Sequence, residues 1–306
     1  MRRIVNKREN KSFSFIWIGA FAAVLYLAVS GQIDFSNVKA TRSAPLVDSR
    51  AAFMLDMGSG AVLYAKNSDA ALPPASMSKM MTELIVLDAV NEGQLSWGDK
   101  VTASKYAADV IGSQIGFSEG ERFTVRELFE AMTVSSANDA AVALAEFTAG
   151  SEKKFVELMN KKAAAIGLSE ATVFGNATGL AVNDLRGHKE AAAEHETLMS
   201  ARDTAMLAAY LLGKYPEVIE VTSRSSVKLA SNGQQMASTN LMLSGMPFSY
   251  SGNDGLKTGY TTGAGYCFTG TAKRDGKRLI TVVMGAETPE MRFAETEFLL
   301  NYGFRS

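Results

Sequence analysis

Cysteine and histidine are scarce in this sequence. Among 306 residues there is one cysteine, Cys267, and there are two histidines, His188 and His195. A single cysteine excludes an intramolecular disulfide framework and any cysteine-rich zinc site. Cys267 lies in the strand-like stretch GAGYCFTGTA and reads as a small buried apolar residue. Both histidines fall in DLRGHKEAAAEHETLM, residues 184–199, a polar stretch of helical composition. It lacks the tight ligand spacing of known metal motifs, so a solvated surface insertion is expected there, and no metal. Net charge is also small: 31 Lys and Arg against 32 Asp and Glu give −1, with no basic block beyond the N-terminus. That balance argues against a nucleic-acid partner. No solenoid-type repeat and no long low-complexity tract occurs.

Apolar residues are plentiful. Hydrophobic types make up 47% of the chain, enough for one large packed domain or two small ones. At the N-terminus, Arg2, Arg3, Lys7, Arg8 and Lys11 precede the apolar run FSFIWIGAFAAVLYLAVS, residues 13–30. Basic residues followed by an apolar core form the secretory pattern. Residues 1–30 read as a signal peptide, with a retained membrane segment as the alternative, because eighteen apolar residues just suffice to span a bilayer. Either way the remainder is expected to be exported, to the periplasm or the outer face of the inner membrane. Residues 31–45 read as a linker, and 46–306 as the functional domain.

Within that domain, two short apolar runs flank Gly58-Ser59-Gly60, a hairpin signature. Thr124 and Glu127 form a capping box ahead of VRELFEAM. Ser151 caps EKKFVELMNKKAAAI, closed by Gly167, and Ser200 caps ARDTAMLAAYLL, with Gly213 at its end. A second hairpin turns at Asp275-Gly276. A last helix is expected from Thr288 as N-cap with Pro289 at its first position. Strands at both ends and helices between them predict an α+β domain, one antiparallel sheet joining the two hairpins under helices.

LPPASMSKMMTELIVLDAV, residues 72–90, begins a helix that is apolar on most sides and can end at Gly93. Ser76 and Lys79 stand at its mouth, on one face. Read locally, Ser76 caps the turn and Lys79 snorkels to water, or the pair is a nucleophile and its base. The S-x-x-K spacing occurs four times in the chain, so it decides nothing alone. Ser136-Ala137-Asn138 follows 60 residues later, in TVSSAND between two helices, and Lys257-Thr258-Gly259 comes 121 residues after that. K-T-G occurs once. The ordered triple S-x-x-K, S-x-N, K-T-G is the motif set of penicillin-binding proteins and class A β-lactamases.

The stretches FMLDMGSGAVLYAKNSDAALPPASMSKMMT and GLKTGYTTGAGYCFTGTAKRDGKRLITVVMGA resemble the D-alanyl-D-alanine carboxypeptidases, the low-molecular-mass penicillin-binding proteins. FGNATGL (Phe174 to Leu180) and SARD (Ser200 to Asp203) resemble landmarks of the same family. The resemblance runs from about Leu46 to Ser306. It implies the penicillin-recognising serine peptidase fold, a five-stranded antiparallel sheet flanked by helices with a helical subdomain. It implies Ser76 as nucleophile, Lys79 as base and Ser136 as proton shuttle. Asn138, Lys257, Thr258, Gly259 and Tyr260 would bind substrate, with the backbone N–H groups of Ser76 and Tyr260 forming the oxyanion hole. The substrates implied are peptidoglycan stem peptides ending in D-Ala-D-Ala, and β-lactams would acylate the same serine. No metal or organic cofactor is expected. An ordinary lysine titrates near 10.4, so a base at neutrality needs a drop of about three units, which burial and a second cation at Lys257 would supply.

Three rivals are set against this reading. A class A β-lactamase would need a downstream E-x-x-L-N, which is absent between Ser136 and Lys257. A D,D-endopeptidase cutting cross-links shares all three motifs. A non-catalytic wall-binding protein would keep the cleft without the chemistry. Two departures stand out: Ala177 occupies a position where proline is common, and the 184–199 stretch is longer than usual. Many family members also carry a further β-rich domain and a C-terminal amphipathic anchor. After LLNYGFRS, membrane association is expected to rest on residues 13–30.

Overall fold

The computed structural model describes residues 46–306; the expectations for residues 1–30 and 31–45 lie outside the described residues. Among the described residues no helix is long and apolar enough to cross a membrane.

The first hairpin pairs β1 (Ala51–Asp56) with β2 (Val62–Lys66). Asp56 closes its turn, its carboxylate accepting from the N–H groups of Gly58 and Ser59 at 2.9 and 3.3 Å. The chain then makes a 3₁₀ turn, Ala75–Ser78, that runs directly into helix α1 (Lys79–Asn91). Helix α1 is buried on nearly every side and ends at Gly93, whose φ of +73° suits glycine.

A helical region follows: β3 (Lys100–Thr102), α2 (Lys105–Asp109), β4 (Arg122–Thr124), α3 (Val125–Ser135), α4 (Asn138–Ala149) and α5 (Glu152–Ala165). Both bonds of the expected capping box are present at α3, where Thr124 Oγ1 accepts from Glu127 N and Thr124 N donates to the Glu127 carboxylate. Burial would raise the Glu127 pKa, but its bonds from Thr124 and Ser231 outweigh that and pull it down to about 2. A depressed carboxylate stabilises the fold above its ordinary value of 4.5 and loses that contribution as pH falls toward 2. Thr124→Ala should therefore cost about 1 kcal/mol in urea denaturation at neutral pH, and the gap to wild type should narrow in acid.

After α6 (Val182–Leu185) come α7 (Ala201–Lys214), α8 (Ile219–Thr222), β5 (Ser226–Lys228) and β6 (Gln235–Ala237). The three long strands β7 (Asn253–Thr261), β8 (Gly265–Arg274) and β9 (Lys277–Ala286) precede α9 (Met291–Gly303). Helix α7 passes through Gly213 and stops where Tyr215 precedes Pro216, a residue that cannot continue the helical hydrogen bonding. Helix α9 begins two residues later than its Thr288 signal implied, although Thr288 Oγ1 still accepts from Met291 N at 3.2 Å.

The sheet is five-stranded and antiparallel, in the order β2-β1-β9-β8-β7, so it joins both hairpins as expected and adds β7 at the edge. Adjacent strand residues face opposite ways. On β8, Phe268 packs edge-on against Phe293 of α9 at 5.3 Å, while Thr269 Oγ1 reaches Met77 Sδ in the 3₁₀ turn at 3.1 Å. One face thus holds the apolar cluster of Met54, Phe268, Leu279, Val283, Phe293 and Leu300. Each such fully buried side chain contributes about 1.5–3 kcal/mol. The other face receives the turn that carries Ser76. Lys257 is the cross-strand partner of Thr269, so register alone aims it at that turn.

The 184–199 stretch corrects its expectation in part: Asp184, Arg186, Lys189, Glu190, Glu194 and Glu196 are exposed as a solvated insertion requires, but the stretch as a whole is not a helix. Apart from the short α6 it forms turns, and much of it is tied down. Ala192 is buried and its N–H donates to Glu152 Oε2 at 2.8 Å. Leu198 and Met199 pair as isolated bridges with Val173 and Leu72. Long-range backbone pairing, which composition does not reveal, won over helical propensity. Among the described residues no cluster suited to a metal ion occurs.

Candidate active site

The 3₁₀ turn fixes Ser76 at the mouth of α1 and the next turn of chain brings Lys79 beneath it. Ser76 is partly exposed, and Lys79 is fully buried. Lys79 Nζ lies 2.8 Å from Ser76 Oγ, 2.6 Å from Asn138 Oδ1 and 2.7 Å from the Thr178 carbonyl. A neutral amine has two hydrogens and one lone pair. Asn138 Oδ1 and the Thr178 carbonyl can only accept, so they take the two hydrogens. The lone pair is left for the serine hydroxyl.

Each acceptor is itself held. Asn138 starts α4 after a two-residue junction in which Ser136 adopts left-handed backbone, φ +66°. That conformation is uncommon outside glycine and clusters at functional sites. Asn138 Nδ2 donates to the Ile111 carbonyl at 2.7 Å, which fixes the amide so that Oδ1 faces the lysine. The neighbouring Asp139 carboxylate accepts from Ile115 N and Gly116 N and ties down the same loop. The Thr178 carbonyl belongs to FGNATGL, where Asn176 Oδ1 accepts from Thr178 N, Thr178 Oγ1 and Gly179 N at 2.7–3.1 Å. Thr82 Oγ1 donates to Ala177 O, and Ala177 N donates to Glu152 Oε1 at 3.0 Å. Proline at 177 has no N–H for Glu152, so the departure at this position matches the buried glutamate beside it.

Lys257 sits on β7, 1% exposed, facing the same interior. Gly259 brings the strand against the turn that carries Ser76: a Cβ there would lie 2.6 Å from Pro74 O and 3.2 Å from Ser76 N. Thr258 Oγ1 shares a 2.7 Å hydrogen bond with Thr239 Oγ1, and Tyr260, half-exposed, stacks on Tyr266 at 4.4 Å. Lys79 therefore touches both Ser76 and Asn138, and the strand carrying Lys257 to Tyr260 lies against the turn of Ser76 at Gly259. Ser136 is placed by the junction that places Asn138.

The electrostatics follow from burial. Lys79 is held well below an ordinary lysine by desolvation and then by the Lys257 charge, against the opposing pull of Glu83 and Asp139. Lys257 is lowered by burial to about 8, with Glu83 supporting its charge and Arg292 opposing it. Glu83, on α1 one turn beyond Lys79, is pushed up by burial to about 7, held down in part by Lys257 and Lys79. Sequence reasoning missed Glu83, Thr239, Asp139 and the Thr178 carbonyl. FGNATGL was the one available signal for the last of these.

Fold and site together define a penicillin-binding serine peptidase. The chain belongs to the D-alanyl-D-alanine carboxypeptidase family, whose model matches residues 38–288. It is 39% identical over 274 residues to the D-alanyl-D-alanine carboxypeptidase DacF of Bacillus subtilis, covering 88% of this chain and 66% of that protein. It is 34% identical over 304 residues to DacC of Escherichia coli, covering 96% and 70%. Among solved structures, cefotaxime-bound penicillin-binding protein D2 of Listeria monocytogenes is 36% identical with a TM-score of 0.76, covering 86% of this chain and all of that one. The chain thus spans about two thirds of the length of the curated relatives.

Proposed function

We propose that this protein removes the terminal D-alanine from peptidoglycan stem pentapeptides through an acyl-enzyme on Ser76, and that it does so as an exported enzyme. The observation that carries the reading is the three-way coordination of Lys79 Nζ, which leaves a buried amine lone pair for the Ser76 hydroxyl. Lys79 takes the Ser76 proton as Oγ attacks the carbonyl carbon of the penultimate D-alanine. The backbone N–H groups of Ser76 and Tyr260 stabilise the oxyanion, each worth about 3 kcal/mol. The proton on Lys79 passes by way of Ser136 to the departing D-alanine nitrogen as the C–N bond breaks. Water then adds to the ester carbonyl and Ser76 recovers its proton. Lys257 and Thr258 bind the terminal carboxylate. A β-lactam carrying a carboxylate at the equivalent place would acylate the same oxygen. No step here needs a metal or organic cofactor.

The test is a digest of pentapeptide-containing muropeptides with the purified full chain, together with a fluorescent penicillin. Free D-alanine should appear without loss of cross-links, and the label should be covalent in wild type and absent in Ser76→Ala. Cross-link loss without free D-alanine from pentapeptides would establish the endopeptidase reading. An unlabelled wild type would mean a wall-binding protein without the chemistry.

A further inference from the structure

We propose that Glu83 is a positioning residue whose buried carboxylate keeps Lys257 charged for the substrate carboxylate while Lys79 stays neutral as the base. The inference rests on the serine peptidase reading and extends it to a residue outside the three motifs. Glu83 is 1% exposed, four residues beyond Lys79 on the same face of α1. A carboxylate is almost never fully buried unless paired. Yet among the described residues Glu83 Oε1 has no well-formed hydrogen-bond partner, and of the neutral groups around it the Thr133 hydroxyl on the neighbouring α3 supports its charge. An apolar residue would fill this place at lower cost, so stability alone does not account for it.

The charges around it explain the placement. Lys79 shares its helix, and the buried Lys257 of β7 acts on it electrostatically. Asp139 of α4 acts on Lys79, and Arg292 of α9 acts on Lys257. Two buried ammonium groups in one pocket repel, so one must give up its proton. The chemistry requires that it be Lys79, because a neutral Lys257 would not attract a carboxylate. Lys79 meets two fixed acceptors that a neutral amine satisfies, whereas among the described residues Lys257 Nζ has a single acceptor at 3.4 Å, the Thr258 carbonyl. A negative charge on Glu83 therefore sustains the proton on Lys257 in the absence of strong hydrogen bonds.

Loss of that charge has a definite sign. Without it both lysines release protons more readily. The acid limb of kcat/KM, set by Lys79 becoming a base, moves little, because Glu83 is itself protonated below about pH 7. The alkaline limb, set by Lys257 losing its charge, moves to lower pH. Glu83 itself is protonated below about pH 7, so Glu83→Gln should approach wild type in acid and diverge from it in alkali. On a diacetyl-lysyl-D-Ala-D-Ala tripeptide, kcat/KM of Glu83→Gln should fall about tenfold at pH 9, as a displacement of one pKa unit implies, and less than about twofold at pH 6. Glu83→Asp, which keeps the charge, should retain the wild-type limbs. A role confined to packing would lower the whole profile without moving it, and superimposable limbs in Glu83→Gln would overturn the proposal. Penicillin labelling of Ser76 in the wild-type protein is scored alongside. Its absence would sink the underlying enzyme reading, whereas labelling with unmoved limbs would sink only the role of Glu83. Should Glu83→Gln fail to fold, carboxyl-labelled glutamate NMR of the wild type decides. A carboxyl titrating near pH 7 and displaced by penicillin acylation supports the proposal, and no glutamate titrating between about pH 6 and 8 overturns it.

Discussion

Lys79→Met is expected to slow acylation of Ser76 by penicillin by about a thousandfold or more, the scale of a lost general base at an otherwise intact nucleophile. Methionine matches the lysine stem and keeps the interior filled, so the lost function is the lone pair. The same substitution should leave the protein folded, with a stability whose dependence on pH has changed. Lys79 is held well below its ordinary value by burial. The unfolded chain therefore binds a proton that the folded chain refuses, and the penalty grows as pH falls below about 10.5 toward the folded value. Methionine removes that penalty but leaves Asn138 Oδ1 and the Thr178 carbonyl without their donor, which costs about 1–3 kcal/mol per buried group. The urea midpoint of Lys79→Met relative to wild type should accordingly improve as pH is lowered from 9 to 6. A relative stability independent of pH, or a variant labelled at the wild-type rate, would show that Lys79 is an ordinary ammonium and not the base.

The architecture was largely legible because its signals are local. Gly58-Ser59-Gly60 and Asp275-Gly276 mark turns whose backbone few other residues adopt. The Thr124 and Glu127 pair and the Ser151 and Ser200 caps each satisfy N–H groups within three residues. The site motifs were legible as an ordered triple, although no spacing rule says that Ser76, Lys79 and Asn138 meet. What the sequence hid depends on distant chain. The third neighbour of Lys79 is a backbone carbonyl, a group every residue possesses, so its identity as Thr178 carries no information. Its direction comes from Asn176 two residues earlier and from Thr82 on α1. Glu83 looked like one more polar residue on a helix, and only the packing of β7 and α3 around it makes its burial meaningful. Residues 184–199 read as a solvated insertion because the Glu152 carboxylate and the edges at Val173 and Leu72, which organise them, lie far off in the chain.

Gly179→Ala is expected to damage the site more than any single change outside the three motifs. Gly179 has φ +78°, and a Cβ built on it would fall 2.1 Å from the Ala75 carbonyl oxygen and 2.5 Å from Ser78 Oγ. The Ser78 hydroxyl can turn away, but the Ala75 overlap cannot be relieved by any side-chain rotation, because Ala75 O is backbone. Relief requires either the 3₁₀ turn bearing Ser76 or the loop bearing the Thr178 carbonyl to move. Either movement lengthens one of the distances that leave the Lys79 lone pair on Ser76 Oγ. A misplacement of about 1 Å at reacting groups costs on the order of a hundredfold in rate. Overpacking of this kind costs a further ~1–3 kcal/mol of stability. Gly93→Ala separates the two causes, since Gly93 shares the left-handed backbone, φ +73°, but has nothing within 4 Å of a built Cβ. It should lose about 1 kcal/mol and label with penicillin at the wild-type rate. Equal labelling rates in Gly179→Ala and wild type would mean that FGNATGL merely borders the nucleophile and does not set the geometry of its base.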